Sequence, residues 1–184
     1  MSAHKRHWLN IETEFPQADR LTLAEPLTCA EAVVRELDRG DADLLVEAAR
    51  HVQVVRGDIT FPTSLEEAGA MLAQFERLRH AGQANLDGVL RPDDNSLAGV
   101  ISMRVGTDLV AECACWNRSD KGNREVTATG LNLLTSYAHR TLHIVQLWVL
   151  IDPVDPFTRR LAYKGGWSQG TADASGKVRF SSVG

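Results

Sequence analysis

The chain has 184 residues, 43% of them hydrophobic, which suits one well-buried domain better than two. Its formal net charge of −4 argues against broad electrostatic affinity for nucleic acid or an anionic membrane. No apolar run reaches the length of a membrane span, and the N-terminus carries His4, Lys5, Arg6 and His7 but no apolar signal core, so a cytoplasmic protein is expected.

Residues 1–30 read as an N-terminal extension, with one candidate strand at 20–24, and residues 31–184 as the compact domain. An apolar strand at 32–37 ends in Asp38-Arg39-Gly40. Asp41 then stands where an N-cap belongs, before a helix with Leu44, Leu45, Ala48, Ala49 and Val52 at helical spacing. Ser64 and Glu67 make an S-x-x-E capping box. The helix behind it carries Leu65, Ala68, Leu72, Phe75 and Leu78 on one face, and Gly82 is placed to close it.

Strands follow at 84–91 and 97–105, joined by the turn cluster Pro92-Asp93-Asp94-Asn95. Gly106-Thr107-Asp108 turns the chain into a strand at 111–116, and 117–125 is a polar connection. A helix at 126–140, a strand at 142–151, a Pro-led helix at 156–164 closed by Gly165-Gly166, and a last hairpin complete the pattern. The sum is a mixed α/β domain, with a bent, mostly antiparallel central sheet flanked by helices.

The cysteines, Cys29, Cys113 and Cys115, are read as strand packing, because one C-x-C pair without a second Cys or His pair makes poor zinc spacing. The six histidines do not cluster, so no metal is expected.

The order of elements, with Ala111-Glu112 and Trp116 on one strand and Pro153, Pro156, Arg159, Arg160, Ala162, Lys164 and Gly166 around the last helix, resembles the GNAT N-acetyltransferases. The similar branch is that of the RimJ/RimL-like ribosomal-protein acetyltransferases, and the likeness runs from about residue 32 to 180. It implies an acyl-coenzyme A donor, acetyl-coenzyme A by default, and direct transfer to a primary amine of a small molecule or a peptide N-terminus. Dimers are usual among similar proteins, which leaves a homodimer open.

The resemblance also assigns residues. Glu112 aligns with a strand carboxylate that acts as base, and Thr158 with a hydroxyl near the leaving thiol. The backbone at Cys115, Trp116 and Asn117 would bond the pantetheine arm. Gly122, Asn123, Arg124, Glu125 and Val126 occupy the pyrophosphate loop, where the usual first Arg or Gln falls near Asp120 or Lys121. Asp155 replaces an Asn on the donor side.

Backbone amides and the dipole at a helix start suit a diphosphate, and glycines let it come close. Here Asn123 and Glu125 hold the two glycine positions. A carboxylate about 4 Å from a phosphate costs up to ~4 kcal/mol at an effective dielectric near 20, about a thousandfold in affinity. Equally, Glu125 can serve only to favour the dipole, and Asp155 only to cap the helix that Pro156 opens. Two other readings therefore stay open: a changed donor, such as an acyl-carrier protein or an aminoacyl-tRNA, and a non-catalytic binding module on the same fold.

Overall fold

The computed structural model describes residues 21–51, 61–119 and 122–184. Among the described residues, eight strands form one sheet: β1 (Leu27–Thr28), β2 (Val33–Glu36), β3 (Ala84–Leu90), β4 (Leu97–Val105), β5 (Val110–Asn117), β6 (Gln146–Ile151), β7 (Ser168–Ala172) and β8 (Val178–Val183). Their order is β1-β2-β3-β4-β5-β6-β8-β7, antiparallel throughout except for the parallel pair β5–β6. The helices are α1 (Ala42–Ala49), α2 (Leu65–His80), α3 (Asn123–Arg140) and α4 (Pro156–Lys164). No described helix is long and apolar enough to cross a membrane.

Strand alternation divides the core into two layers. Val100 packs with Leu45, Ala48, Leu72 and Trp116 under α1 and α2. The next residue, Ile101, packs with Leu131, Leu134, Ala138 and Phe180 under α3 and α4. The mixed α/β architecture with a mostly antiparallel sheet is thus present, and both faces are covered.

Local chemistry explains most element ends. The Ser64 hydroxyl accepts from the Glu67 N–H (3.2 Å), and the Glu67 carboxylate reaches back to the Thr63 N–H (2.7 Å). At the other end of α2, Gly82 takes φ 68°, and Gln83 N–H and Gly82 N–H donate to the Leu78 and Arg79 carbonyls, a Schellman closure.

Several boundaries differ from the sequence reading. Residues 21–24 form no strand: Leu21 and Leu23 are buried in the α3-side core as irregular chain, and the Leu23 N–H donates to Glu36. The ladder starts instead at Leu27–Thr28, against β2. Residues 21–28 therefore pack on the domain, although the sequence assigns them to the extension. Asp41 does precede α1, but its carboxylate makes no cap there; it takes both Arg35 Nη groups (2.6 and 2.7 Å) and the Asp38 N–H. Helix α3 begins at Asn123 rather than 126, since a left-handed Gly122 starts it without needing a capping side chain. Strand β6 begins at Gln146 rather than 142, because His143 at φ 55° breaks the extended path. Val52 lies outside the described residues.

One glycine is dictated by contact. A Cβ on Gly99 would stand 2.5 Å from Thr127 Oγ1 and 2.6 Å from the Trp116 carbonyl oxygen, so α3 rests directly on β4 there. Gly99→Ala is expected to cost about 1–3 kcal/mol in urea unfolding. Gly69→Ala, in open space on α2, should instead add about 0.5–1 kcal/mol. Equal effects at the two positions would contradict this packing.

Candidate active site

The parallel pairing of β5 with β6 is short. Val110, Ala111 and Glu112 lie opposite Gln146, Leu147 and Trp148, and there the register ends. Yet β5 continues to Asn117 and β6 to Ile151. Past the Glu112–Trp148 rung the strands part, leaving a wedge whose inner backbone groups have no ladder partner across it.

Helix α3 follows β5 directly and starts at that end of the sheet. Gly122, its N-cap, takes φ 93° and makes no side-chain cap. The first-turn amides, from Asn123 to Val126, therefore point from the helix start with no side-chain acceptor at the cap, where the dipole is positive. The Val126 N–H already reaches the Gly122 carbonyl at 3.3 Å. Thr127 anchors this turn: its hydroxyl donates to the Asn123 carbonyl (2.7 Å) while its side chain rests over Gly99. Asn123 is buried, and its Oδ1 has no partner among the described residues.

Glu125 is exposed and ion-paired with Lys164 at the end of α4 (2.5 Å). The Lys164 ammonium holds that carboxylate below its ordinary range. Arg124 follows Asn123 on the same turn, while Asp120 and Lys121 lie outside the described residues. Along α4, Pro156, Arg159, Arg160, Tyr163 and Lys164 line a shallow groove of 390 Å³, rich in positive charge.

At the base of the wedge, Glu112 is half-buried and receives Arg104 from β4 at 3.0 Å. Asn117 is buried, with its Nδ2 donating to the Arg118 carbonyl (2.7 Å). The Trp116 ring turns into the α1–α2 core, edge-on to Phe61 at 4.8 Å, so only its backbone can face the wedge. Burial pushes the Cys115 thiol up to about 12 and the Cys113 thiol higher still, which leaves both as unreactive packing groups.

Asp155 and Thr158 bond to each other. The buried Asp155 carboxylate accepts the Thr158 N–H (3.2 Å) and its hydroxyl (2.6 Å), an N-cap for α4 with Pro156 at the first position. Cys115, Trp116, Asn117 and the 122–126 turn therefore gather at the wedge with Glu112 at its base. Asp155 and Thr158 form a separate unit on α4. The identity of Glu112's partner, Arg104, and the compensating role of Lys164 escape sequence reading, because both depend on cross-element contacts. A weak signal for the latter existed in the excess of cations on α4.

No family model and no curated protein sequence matches the chain. Solved structures do. RimL, the ribosomal L7/L12 alpha-N-protein acetyltransferase in complex with coenzyme A, superposes with a TM-score of 0.73 at 16% identity, covering 86% of this chain and 98% of that one. The ribosomal-protein-S5-alanine acetyltransferase from Vibrio fischeri gives 0.70 at 12%, over 86% and 96%. The chain has the GNAT acetyltransferase fold. A chimeric spermidine N-acetyltransferase from Vibrio cholerae and hSSAT shares the GNAT fold too, at a TM-score of 0.67 and 13% identity over 83% of this chain and 95% of that one. Identities this low carry architecture only, so the wedge, the α3 start and the α4 groove of this GNAT fold must speak for its chemistry.

Proposed function

We propose that the chain is an N-acyltransferase, taking an acyl group from acyl-coenzyme A, by default acetyl-coenzyme A, and passing it directly to a primary amine of a small molecule or a peptide N-terminus. The observation that carries this reading is a wedge between β5 and β6, with Glu112 at its base and a helix start at its mouth. A polyphosphorylated donor suits the residues present. Gly122 puts no Cβ into the turn, Glu125 is matched by Lys164, and the α4 groove adds Arg159 and Arg160.

When bound, the donor would supply an acyl thioester whose C–S bond breaks as the N–C bond forms, the coenzyme leaving as a thiolate that takes up the second proton shed by the amine nitrogen. The protein's share is mostly placement. The free amides of residues 123–125 hold the diphosphate, with Val126 closing the turn behind them, and the backbone of Cys115–Asn117 holds the arm in the wedge. Glu112 takes the proton of the attacking ammonium, with Arg104 fixing the carboxylate. Thr158 has committed its hydroxyl proton to Asp155, so its role is to hold the start of α4 beside the donor rather than to supply an acid.

Isothermal titration with acetyl-coenzyme A tests the reading. A dissociation constant below about 1 mM, the upper end of ordinary substrate constants, is expected. Lys164→Met should weaken binding about three- to tenfold, by uncovering Glu125 and removing a cation, and Glu125→Gln should strengthen it. Both effects should shrink at high salt. Absence of any donor heat would leave the non-catalytic module as the better account.

A further inference from the structure

The face of the sheet carrying Glu112 holds a second built feature, one strand further on. Trp148 stands directly across from Glu112, and Ser181 of β8 across from Trp148. Arg179, two residues before Ser181, shares its face, and its guanidinium stacks 4.7 Å from the centroid of the Trp148 ring. All of these side chains are half-buried.

Charge on this face does not balance. Arg104 and Glu112 offset one another. Arg179 has no ion pair among the described residues, and its Nε is buried with no hydrogen-bond partner. A guanidinium flattened on an indole keeps its edge for a planar oxyanion, which it can grip through two parallel N–H groups. A second ammonium placed there would meet only repulsion.

We infer that the acceptor is an amine that also carries a carboxylate, an amino acid or ω-amino acid, with its amine at Glu112 and its carboxylate on Arg179. Trp148, between the two, is the floor along which the connecting chain lies. This rests on the transfer reading above and narrows it, setting the chain apart from polyamine acceptors. Two strand spacings, about 10 Å, separate β5 from β8, and the lean of Arg179 over Trp148 shortens the gap a side chain must see. A spacer of several bonds is therefore favoured over glycine.

The test is a ladder of ω-amino acids, from glycine to 6-aminohexanoate, each paired with the alkylamine of the same length. With acetyl-coenzyme A as donor, kcat/KM for the best acid should exceed that of its alkylamine at least about tenfold, the worth of one charge-assisted hydrogen bond. R179M should abolish the preference by bringing kcat/KM for the acid down toward that of its alkylamine, and R179K, which keeps the charge but loses the fork, should retain part of it. Titration of 6-aminohexanoate and hexylamine into donor-free protein separates the two claims. A protein that binds the acid preferentially yet never turns over sinks the transfer reading, and with it the acceptor role, leaving only the ligand preference at Arg179 upheld. Equal binding of acid and amine, no binding of either, or a preference that survives in R179M overturns the inference and leaves acyl transfer standing.

Discussion

Glu112→Gln should lower kcat for acyl transfer by about 10²–10⁴-fold, the range of a positioned general base, while leaving acetyl-coenzyme A affinity within about twofold. Glutamine keeps the volume of the side chain and an oxygen for Arg104, so the 3.0 Å contact can persist without the negative charge. The donor cradle at the start of α3 lies beyond the wedge and should not register the change. Stability gives the necessary contrast. A half-exposed ion pair of this kind contributes about 0–1 kcal/mol, so its loss predicts a small change in unfolding free energy and no more. A merely structural Glu112 would show that small change together with near-normal turnover. Turnover within about threefold of wild type, at every pH, would remove Glu112 from the mechanism.

Where the chain's own near neighbours decide an outcome, the sequence was readable. The ends of α2 follow from Ser64, Glu67 and Gly82, and the β3–β4 turn from Asp94, whose carboxylate receives the Ser96 N–H, with Asn95 in the left-handed region. Helix α4 starts at Pro156 because Asp155 caps it. Contacts distant in sequence were not readable. Glu125 looked like a charge set against a phosphate, and nothing local shows that Lys164, 39 positions away, neutralises it. The Arg179–Trp148 stack depends on the β6–β8 register, and no alternation in 178–183 reveals which face looks onto the wedge. The start of α3 is hidden in the sequence because Asn123 and Arg124 read as loop, whereas a left-handed Gly122 suffices to begin the helix.

Raising the pH from 4 to 9 should cost this fold stability through one side chain, Asp87 on β3. It is fully buried, opposite Glu36 of β2, with Asn85 Nδ2 donating to its Oδ1 (2.8 Å) and no partner for its Oδ2 among the described residues. Burial pushes its carboxyl up from 3.8 to about 8, and the Glu36 charge adds to this; Arg79, paired with Glu36, and Asn85 oppose it. The native chain therefore keeps a proton that the unfolded chain releases near 3.8. Such a group contributes its full stability below the unfolded pKa, and that contribution drains away as pH climbs through the window to the folded pKa near 8. Four units correspond to about 5 kcal/mol, comparable with the whole stability of a small domain. Asp87→Asn replaces the neutral acid by an uncharged group of the same shape, so urea unfolding of the variant should be nearly flat across this range. At pH 9 the variant should exceed wild type by several kcal/mol, while at pH 4 the two should lie close together. The sign is unusual for an aspartate, since the common case loses stability toward acid, and that makes it diagnostic. Parallel pH curves for the two proteins would mean that Asp87 is ionised in the fold, with a compensating cation drawn in from Arg79.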